Sequence, residues 1–367
     1  MTVTYAFEKI MQDIRTRILS REWTTSTRLP SSREFAQYYG ASVNTVEKAI
    51  KELTTEGLLK RDSRRGTYIE TGIVSQGMHN HSGLVAAFVI GIENPQWSSA
   101  LRGIEDVLHT YGFHLLTSSD ESNFDKLETL VKGAISKKID GVIMCPILEH
   151  GQEGRNQRIC RLIQDSGIKA VFLDRYLYEQ NIPYVTSDNA AGAYKLTKQL
   201  IDKGHRRILF IRNSNLSTFN ERLLGFKQAL SDSGIEYSDE WDVLIPTQYE
   251  DFGNEFALYS STFERKMKEI NFTAVFTAND QIAEAAIKAF EQLGYKIPQD
   301  VSMVTYDSAN INLRLKYDLV GATQPFYEMG QLAAKQILNL IEGKDTQVVF
   351  GQICKSVINP GSSIASV

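Results

Sequence analysis

From Leu84 onward, short apolar runs alternate with helical patterns about every thirty residues, and no other regularity restricts the fold so tightly. The runs are Leu84–Ile90, His114–Thr117, Gly141–Cys145, Ala170–Leu173, Arg207–Ile211, Ala274–Thr277 and Ser302–Tyr306. Between them, apolar residues recur at helical spacing, as in Leu101, Ile104, Val107 and Leu108, or Leu196, Leu200 and Ile201. A parallel strand can be reached only by a crossover, which a helix fills, so the alternation predicts α/β parallel sheets with helices on both faces. Residues 84–367 are more than one such sheet needs, so two lobes with a cleft between them are expected.

Ligands of open α/β sheets sit beyond the carboxyl ends of the strands. The residues there are polar or aromatic: Asn94 and Trp97, Asp174 and Arg175, Ser187 and Asp188, Asn279 and Asp280, Asp307, and Gln324, with Arg222 on a following helix. Carboxylates and amides that bind vicinal hydroxyls, a guanidinium fork and an aromatic face are the equipment of a monosaccharide pocket. The ligand-binding candidates are therefore Asn94, Trp97, Asp174, Arg175, Arg222, Asn279, Asp307 and Gln324. Ser187-Asp188-Asn189 and Asn279-Asp280 read equally well as helix caps.

The first seventy residues follow a different pattern. Phe7, Ile10, Met11, Ile14, Ile18 and Leu19 predict an amphipathic helix over roughly Thr4 to Arg21. After Pro30, Ser31 and Glu34 stand at capping-box spacing and open a second helix that runs to Gly40. Ser42 caps a third, with Val46, Ala49, Ile50 and Leu53 inward, before Gly57. Two strand-like runs then flank the basic tip Asp62-Ser63-Arg64-Arg65-Gly66, which completes a winged helix-turn-helix. The start of the third helix, with Ser42, Val43, Asn44, Thr45 and Lys48, is expected in a DNA major groove, where a helix N-terminus meets phosphates and its first side chains meet base edges. Arg33 and the wing residues Arg64, Arg65 and Gly66 are expected at phosphates or the minor groove.

Charge supports this division. The chain carries a net −4, yet residues 1–70 hold twelve Lys and Arg against nine Asp and Glu, a surplus of +3, which leaves −7 on the remainder. A basic head on an acidic body confines nucleic-acid contact to the head. Residues 71–83, rich in Gly, Ser and polar types, read as a flexible linker. His79 and His81 within it lack further nearby ligands, so no metal is expected. The three cysteines, Cys145, Cys160 and Cys354, form no Cys-x-x-Cys pair and read as buried thiols of a reducing cytoplasm. With no run of eighteen uncharged apolar residues and no leader-like start, a cytoplasmic chain without a membrane span is expected.

Leu29-Pro30-Ser31-Ser32-Arg33-Glu34-Phe35-Ala36, Ser42-x-x-Thr45-Val46, Glu56-Gly57-Leu58-Leu59 and Arg65-Gly66-Thr67-Tyr68 resemble the DNA-binding domain of the GntR family. The resemblance implies dimeric binding to a palindromic operator. The sequence departs from the family at Val43 and Glu47, where arginines are common. Leu173-Asp174-Arg175, Gly204-His205-Arg206-Arg207, Arg222-x-x-Gly225-Phe226, Asn279-Asp280, Pro298-Gln299-Asp300-Val301-Ser302, Tyr306-Asp307 and Thr323-Gln324-Pro325 resemble the effector domain of the LacI family, which is similar to periplasmic sugar-binding proteins. That resemblance implies small-molecule contact at Asp174, Arg222, Asn279, Asp307 and Gln324, with Trp97 and Arg175 near the rim. The combination resembles arabinose-repressor-type regulators. It implies a homodimeric repressor that binds double-stranded operator DNA and responds to a sugar or sugar phosphate, without a cofactor. A purine or other non-sugar effector is the alternative, and a carbohydrate-binding protein or enzyme a further one; no Walker loop, Gly-x-Gly-x-x-Gly, Gly-x-Ser-x-Gly or His-Glu-x-x-His occurs.

Overall fold

The computed structural model describes residues 3–19, 23, 29–55, 58–62, 66–69, 81–148, 152–246, 255–309, 312 and 317–367. In the head, helices α1 (Val3–Leu19), α2 (Ser32–Tyr39) and α3 (Val43–Thr55) precede an antiparallel hairpin of β1 (Leu59–Asp62) and β2 (Gly66–Ile69). The capping box forms as expected: Glu34 N–H donates to Ser31 Oγ, and Ser31 N–H donates to the Glu34 carboxylate. Gly40 ends α2 at φ 60°, which turns the chain into α3. Ile10, Ile14, Phe35, Val46, Ile50, Leu53, Leu59 and Ile69 close one small core, so each element buries the stripe that its sequence marks. Arg64 and Arg65, and residues 71–80 of the expected linker, lie outside the described residues.

The body starts where Asp140 accepts the N–H groups of Ser82, Gly83 and Leu84. Its chain runs β3 (Leu84–Val89), α4 (Pro95–Thr110), β4 (His114–Ser119), α5 (Phe124–Ser136), β5 (Gly141–Met144), α6 (Glu153–Ser166), β6 (Lys169–Leu173) and β7 (Tyr184–Ser187). There follow α7 (Asn189–Asp202), β8 (Ile208–Arg212), α8 (Ser217–Asp232), β9 (Asp242–Leu244), α9 (Glu255–Ile270), β10 (Ala274–Thr277), α10 (Asp280–Gln292), β11 (Ser302–Tyr306), β12 (Val320–Thr323), α11 (Phe326–Ile341), β13 (Gly351–Cys354) and β14 (Val357–Asn359). Two six-stranded sheets result, ordered β4-β3-β5-β6-β7-β13 and β9-β8-β10-β11-β12-β14. All pairings are parallel except β12 with β14.

The seven strand-like runs all form strands. Five further strands, β7, β9, β12, β13 and β14, carry too few consecutive apolar residues to stand out, and three of them decide the architecture. The chain passes between lobes three times, from β7 into α7, from β12 into α11, and from β13 into β14. Each lobe is thus assembled from separated segments, and the crossovers lie side by side.

The helices that follow two crossovers each pack against a neighbouring helix at backbone distance. Gly103 of α4 faces the Tyr327 carbonyl of α11, and Gly225 of α8 faces the Ala190 carbonyl of α7; a Cβ at either glycine would collide with main chain that cannot move aside. The two faces of the first sheet are covered by Leu101, Ile104, Met329 and Ala333, and by Leu127, Val131, Ile159 and Ile163. The second sheet holds one larger core that includes Phe210, Phe226, Phe276 and Phe290.

Candidate effector cleft and nucleic-acid interface

Two aspartates occupy equivalent places in the two lobes. Asp174 directly follows β6 and Asp307 directly follows β11, at φ 70° and 63°. The left-handed region is uncommon outside glycine but tolerated by Asp, whose short side chain bonds locally. Each backbone N–H is held by a neighbouring strand: Asp174 N–H donates to Val185 O and Asp307 N–H to Ala322 O. Both side chains are buried.

Around Asp307 the groups converge. Gln324 Nε2 donates to both carboxylate oxygens at 3.1 and 3.3 Å, and Ser187 Oγ donates to Gln324 Oε1 at 2.7 Å, which fixes the amide's orientation. Arg222, 2% exposed, places Nη1 3.7 Å from Asp307 Oδ2. Its Nε donates to Asn189 Oδ1 at 2.9 Å and Nη1 donates to Ala278 O at 2.6 Å. Gln96, from the first lobe, also favours the charged form of Asp307. Asn189 Nδ2 donates to Glu221, and Glu221 accepts the Tyr176 hydroxyl, which ties the first lobe to the second.

Burial pushes the Asp174 carboxyl up to about 6, a shift that the Arg175 and Arg222 guanidiniums oppose. Burial likewise raises Asp307, opposed by Arg222 and Gln324. Asp120, which follows β4, is also pushed up to about 6 by burial. A site that keeps ionisable groups buried and incompletely matched is arranged for something to complete it.

The cleft therefore joins Asp174, Arg175, Arg222, Asp307 and Gln324. Three other expected ligand residues stand differently. Asn94 and Asn279 cap α4 and α10, accepting from Gln96 N–H and Ile282 N–H. Trp97, expected near the rim, is 5% exposed and packs edge-on against Phe326 in the first lobe's core. It follows a helix cap on the inward face of α4, so its indole belongs to the core. Asp120, Gln96, Tyr176, Glu221 and Tyr306 also border the cleft, although the sequence does not single them out. Asp120 has the same signal as Asp174, a carboxylate just past a strand, whereas Glu221 and Tyr306 are revealed only by what the other lobe brings to them.

In the head, Ser42 Oγ accepts Thr45 N–H, and the two hydroxyls lie 2.8 Å apart. Val43, Asn44 and Lys48 are exposed along the start of α3, as is Arg33 on α2. Lys48 also lies over the Phe7 ring, 5.1 Å from its centroid. Glu47, where the GntR pattern favours arginine, meets Arg61 of β1 at 2.6 Å. Gly66 opens β2 at φ 83°.

A family model described as periplasmic binding proteins and sugar binding domain of the LacI family matches residues 83–355 of the 367. The chain belongs to this LacI-type family. Ahead of that LacI-type body, residues 6–69 match the bacterial regulatory proteins of the gntR family. An arabinose metabolism transcriptional repressor of Halalkalibacterium halodurans is 25% identical over 348 residues, covering 93% of this chain and 90% of that one. A ribose operon repressor of the same organism is 26% identical, over 85% of this chain and 90% of its own. Among solved structures, a LacI family transcriptional regulator from Enterococcus faecium with bound ribose superposes with a TM-score of 0.63 at 25% identity, covering 77% of this chain and 99% of that one. The chain pairs a helix-turn-helix region with a two-lobed α/β body. Among the described residues no helix is long and apolar enough to cross a membrane.

Proposed function

We propose that the chain is a sugar-responsive transcriptional repressor in which residues 1–70 bind operator DNA, residues 71–83 link, and residues 84–367 sense the effector and dimerise. The observation that carries this reading is the convergence of Asp174, Arg222, Asp307 and Gln324 between two lobes joined by three crossovers, in a chain headed by a gntR-type helix-turn-helix. Hydroxyl-binding groups line both lobes, so a sugar between them favours the closed arrangement. It can shift DNA affinity only by binding one lobe arrangement better than the other. The relatives named for arabinose and ribose operons support a sugar as the effector. As a homodimer the chain would set two recognition helices one helical turn apart on a palindrome. It acts by binding, in the cytoplasm, without catalysis.

Enrichment of genomic fragments on the full-length protein, followed by anisotropy titration of an enriched duplex with and without pentoses and hexoses, tests the proposal. One palindromic site and one sugar that changes its affinity at least tenfold are expected. Sequence-independent binding, or an affinity that no sugar alters, would overturn it.

A further inference from the structure

Five buried side-chain polar atoms have no hydrogen-bond partner among the described residues, and three belong to one wall of the cleft: Asp120 Oδ2, Asp174 Oδ1 and Arg175 Nε. Asp120 is fully buried and Asp174 nearly so. Asp120 Oδ1 accepts Ser122 N–H, which leaves only Oδ2 free. Asp120 follows β4, and Asp174 and Arg175 follow β6, at the carboxyl edge of the same sheet. Arg175 acts electrostatically on both carboxylates, and its Nε lies 3.5 Å from Asp174 Oδ2 without a formed hydrogen bond. A buried polar group without a hydrogen bond is costly, more so when it is charged, so three together at one place present a matched set of hydrogen-bonding groups to a ligand.

The pattern is two acceptors and one donor. A polyhydroxyl compound supplies both sides of it, since each hydroxyl donates one hydrogen bond and accepts others. A phosphate group seated here does not. Near neutral pH its oxygens almost only accept, so it would satisfy Arg175 and leave both carboxylates unpaired beside a like charge. The rest of the cleft adds to this bias. Asp307 and Glu221 bring two more carboxylates, and Arg222 is already engaged by Asn189, Ala278 and the Tyr306 ring. Lys126, which acts on Asp120 electrostatically, is paired with Glu121 and adds little positive charge to this wall.

Resting on the reading of this cleft as the effector site, we infer that the effector is an uncharged polyhydroxyl sugar that carries no phosphate, and that Asp120 is a further ligand-binding residue that selects it. Asp120 and Asp174 each accept a sugar hydroxyl, and Arg175 Nε donates to a sugar oxygen.

Calorimetry on the full-length protein tests this with D-ribose, L-arabinose, D-xylose and D-glucose, each paired with its terminal phosphate monoester. At least one free sugar is expected to bind, with its monoester at least a hundredfold weaker. Asp120→Asn should weaken that sugar at least tenfold while the unliganded protein melts no lower than the parent, because the exchange keeps shape and removes a buried charge. Asp174→Asn should weaken it in parallel. A monoester that binds as tightly as its parent sugar, or an Asp120→Asn protein with unchanged affinity, would overturn the inference and leave the sugar-effector reading standing. Silence of both series would overturn both.

Discussion

The Arg222 guanidinium carbon lies 3.8 Å from the centroid of the Tyr306 ring, while its Nη1 stands 3.7 Å from the carboxylate of Asp307, the residue that follows Tyr306 in the chain. The ring gives the buried cation a face, and its hydroxyl hydrogen-bonds Asp188 O and Ser356 Oγ. Those two residues sit on the first and third crossovers. One aromatic side chain therefore connects the cleft's central cation to two of the three segments that join the lobes.

Removing that cation leaves Asp307 buried with less compensation and strands Asn189 and the Ala278 carbonyl. Breaking a buried charge pair from one side costs about 3–5 kcal/mol. Arg222→Ala should abolish the effector response while the duplex still binds, and urea denaturation of the body should show a loss on that scale. Loss of DNA binding as well would mean that the residue supports the fold and not the effector.

Tyr306→Phe keeps the ring beneath Arg222 and removes only the hydroxyl. Two hydrogen bonds at the crossovers are lost, each worth about 1 kcal/mol. Stability should fall by roughly 1–2 kcal/mol, and the difference in DNA affinity between liganded and free protein should shrink. An unaltered difference would separate the tyrosine from lobe movement.

The raised carboxyl of Asp174 gives a pH signature. Below about pH 4 folded and unfolded chains both hold its proton. Between about pH 4 and the folded value of about 6 only the folded chain holds it, so stability falls as pH rises, and above about 6 the penalty is complete. At some 1.4 kcal/mol per unit the penalty reaches about 3 kcal/mol. Asp174→Asn should accordingly match the parent near pH 4 and melt several degrees higher at pH 7.5. A melting difference that stays flat across that range would show that burial does not perturb this carboxyl.

In the head, Glu47 stands on the face of α3 expected to approach DNA, and Arg61 neutralises it. Glu47→Gln should raise duplex affinity several-fold. Arg61→Ala should lower it and flatten the salt dependence, because an unpaired carboxylate then faces phosphates. Equal affinity for both variants would place α3 away from the groove.

Arg64 and Arg65, proposed to meet phosphates, allow a second test of the head. Replacing both by alanine should weaken duplex binding and lower the slope of log affinity against log salt by about one to two. An unchanged slope would exclude the wing from the phosphate contacts.

Much of the molecule was legible from local pattern. The capping box at Ser31 and Glu34, the inward stripe of α3 and the seven apolar runs each depend on residues a few positions apart, and these interactions form wherever the chain goes next. Asp174 and Asp307 were legible for a related reason, since a strand's carboxyl end locates the residue after it. Trp97 and Asn94 were not: the same aromatic and amide suit a sugar or a helix start, and only the packing of Phe326 against the indole decides.

By itself, then, the sequence determined the two kinds of domain, most of the strands, and the carboxylates and guanidiniums available to a ligand. The tertiary structure alone decided which of them meet. Gln324 is 137 residues from Ser187, Arg222 is 33 from Asn189, and Tyr176 is 45 from Glu221, and each pair is joined only because weakly patterned strands complete the lobes and carry the chain across three times. Contacts across such separations leave no periodicity in the chain. They arise from burial, which also leaves Asp120, Asp174 and Arg175 in want of a partner.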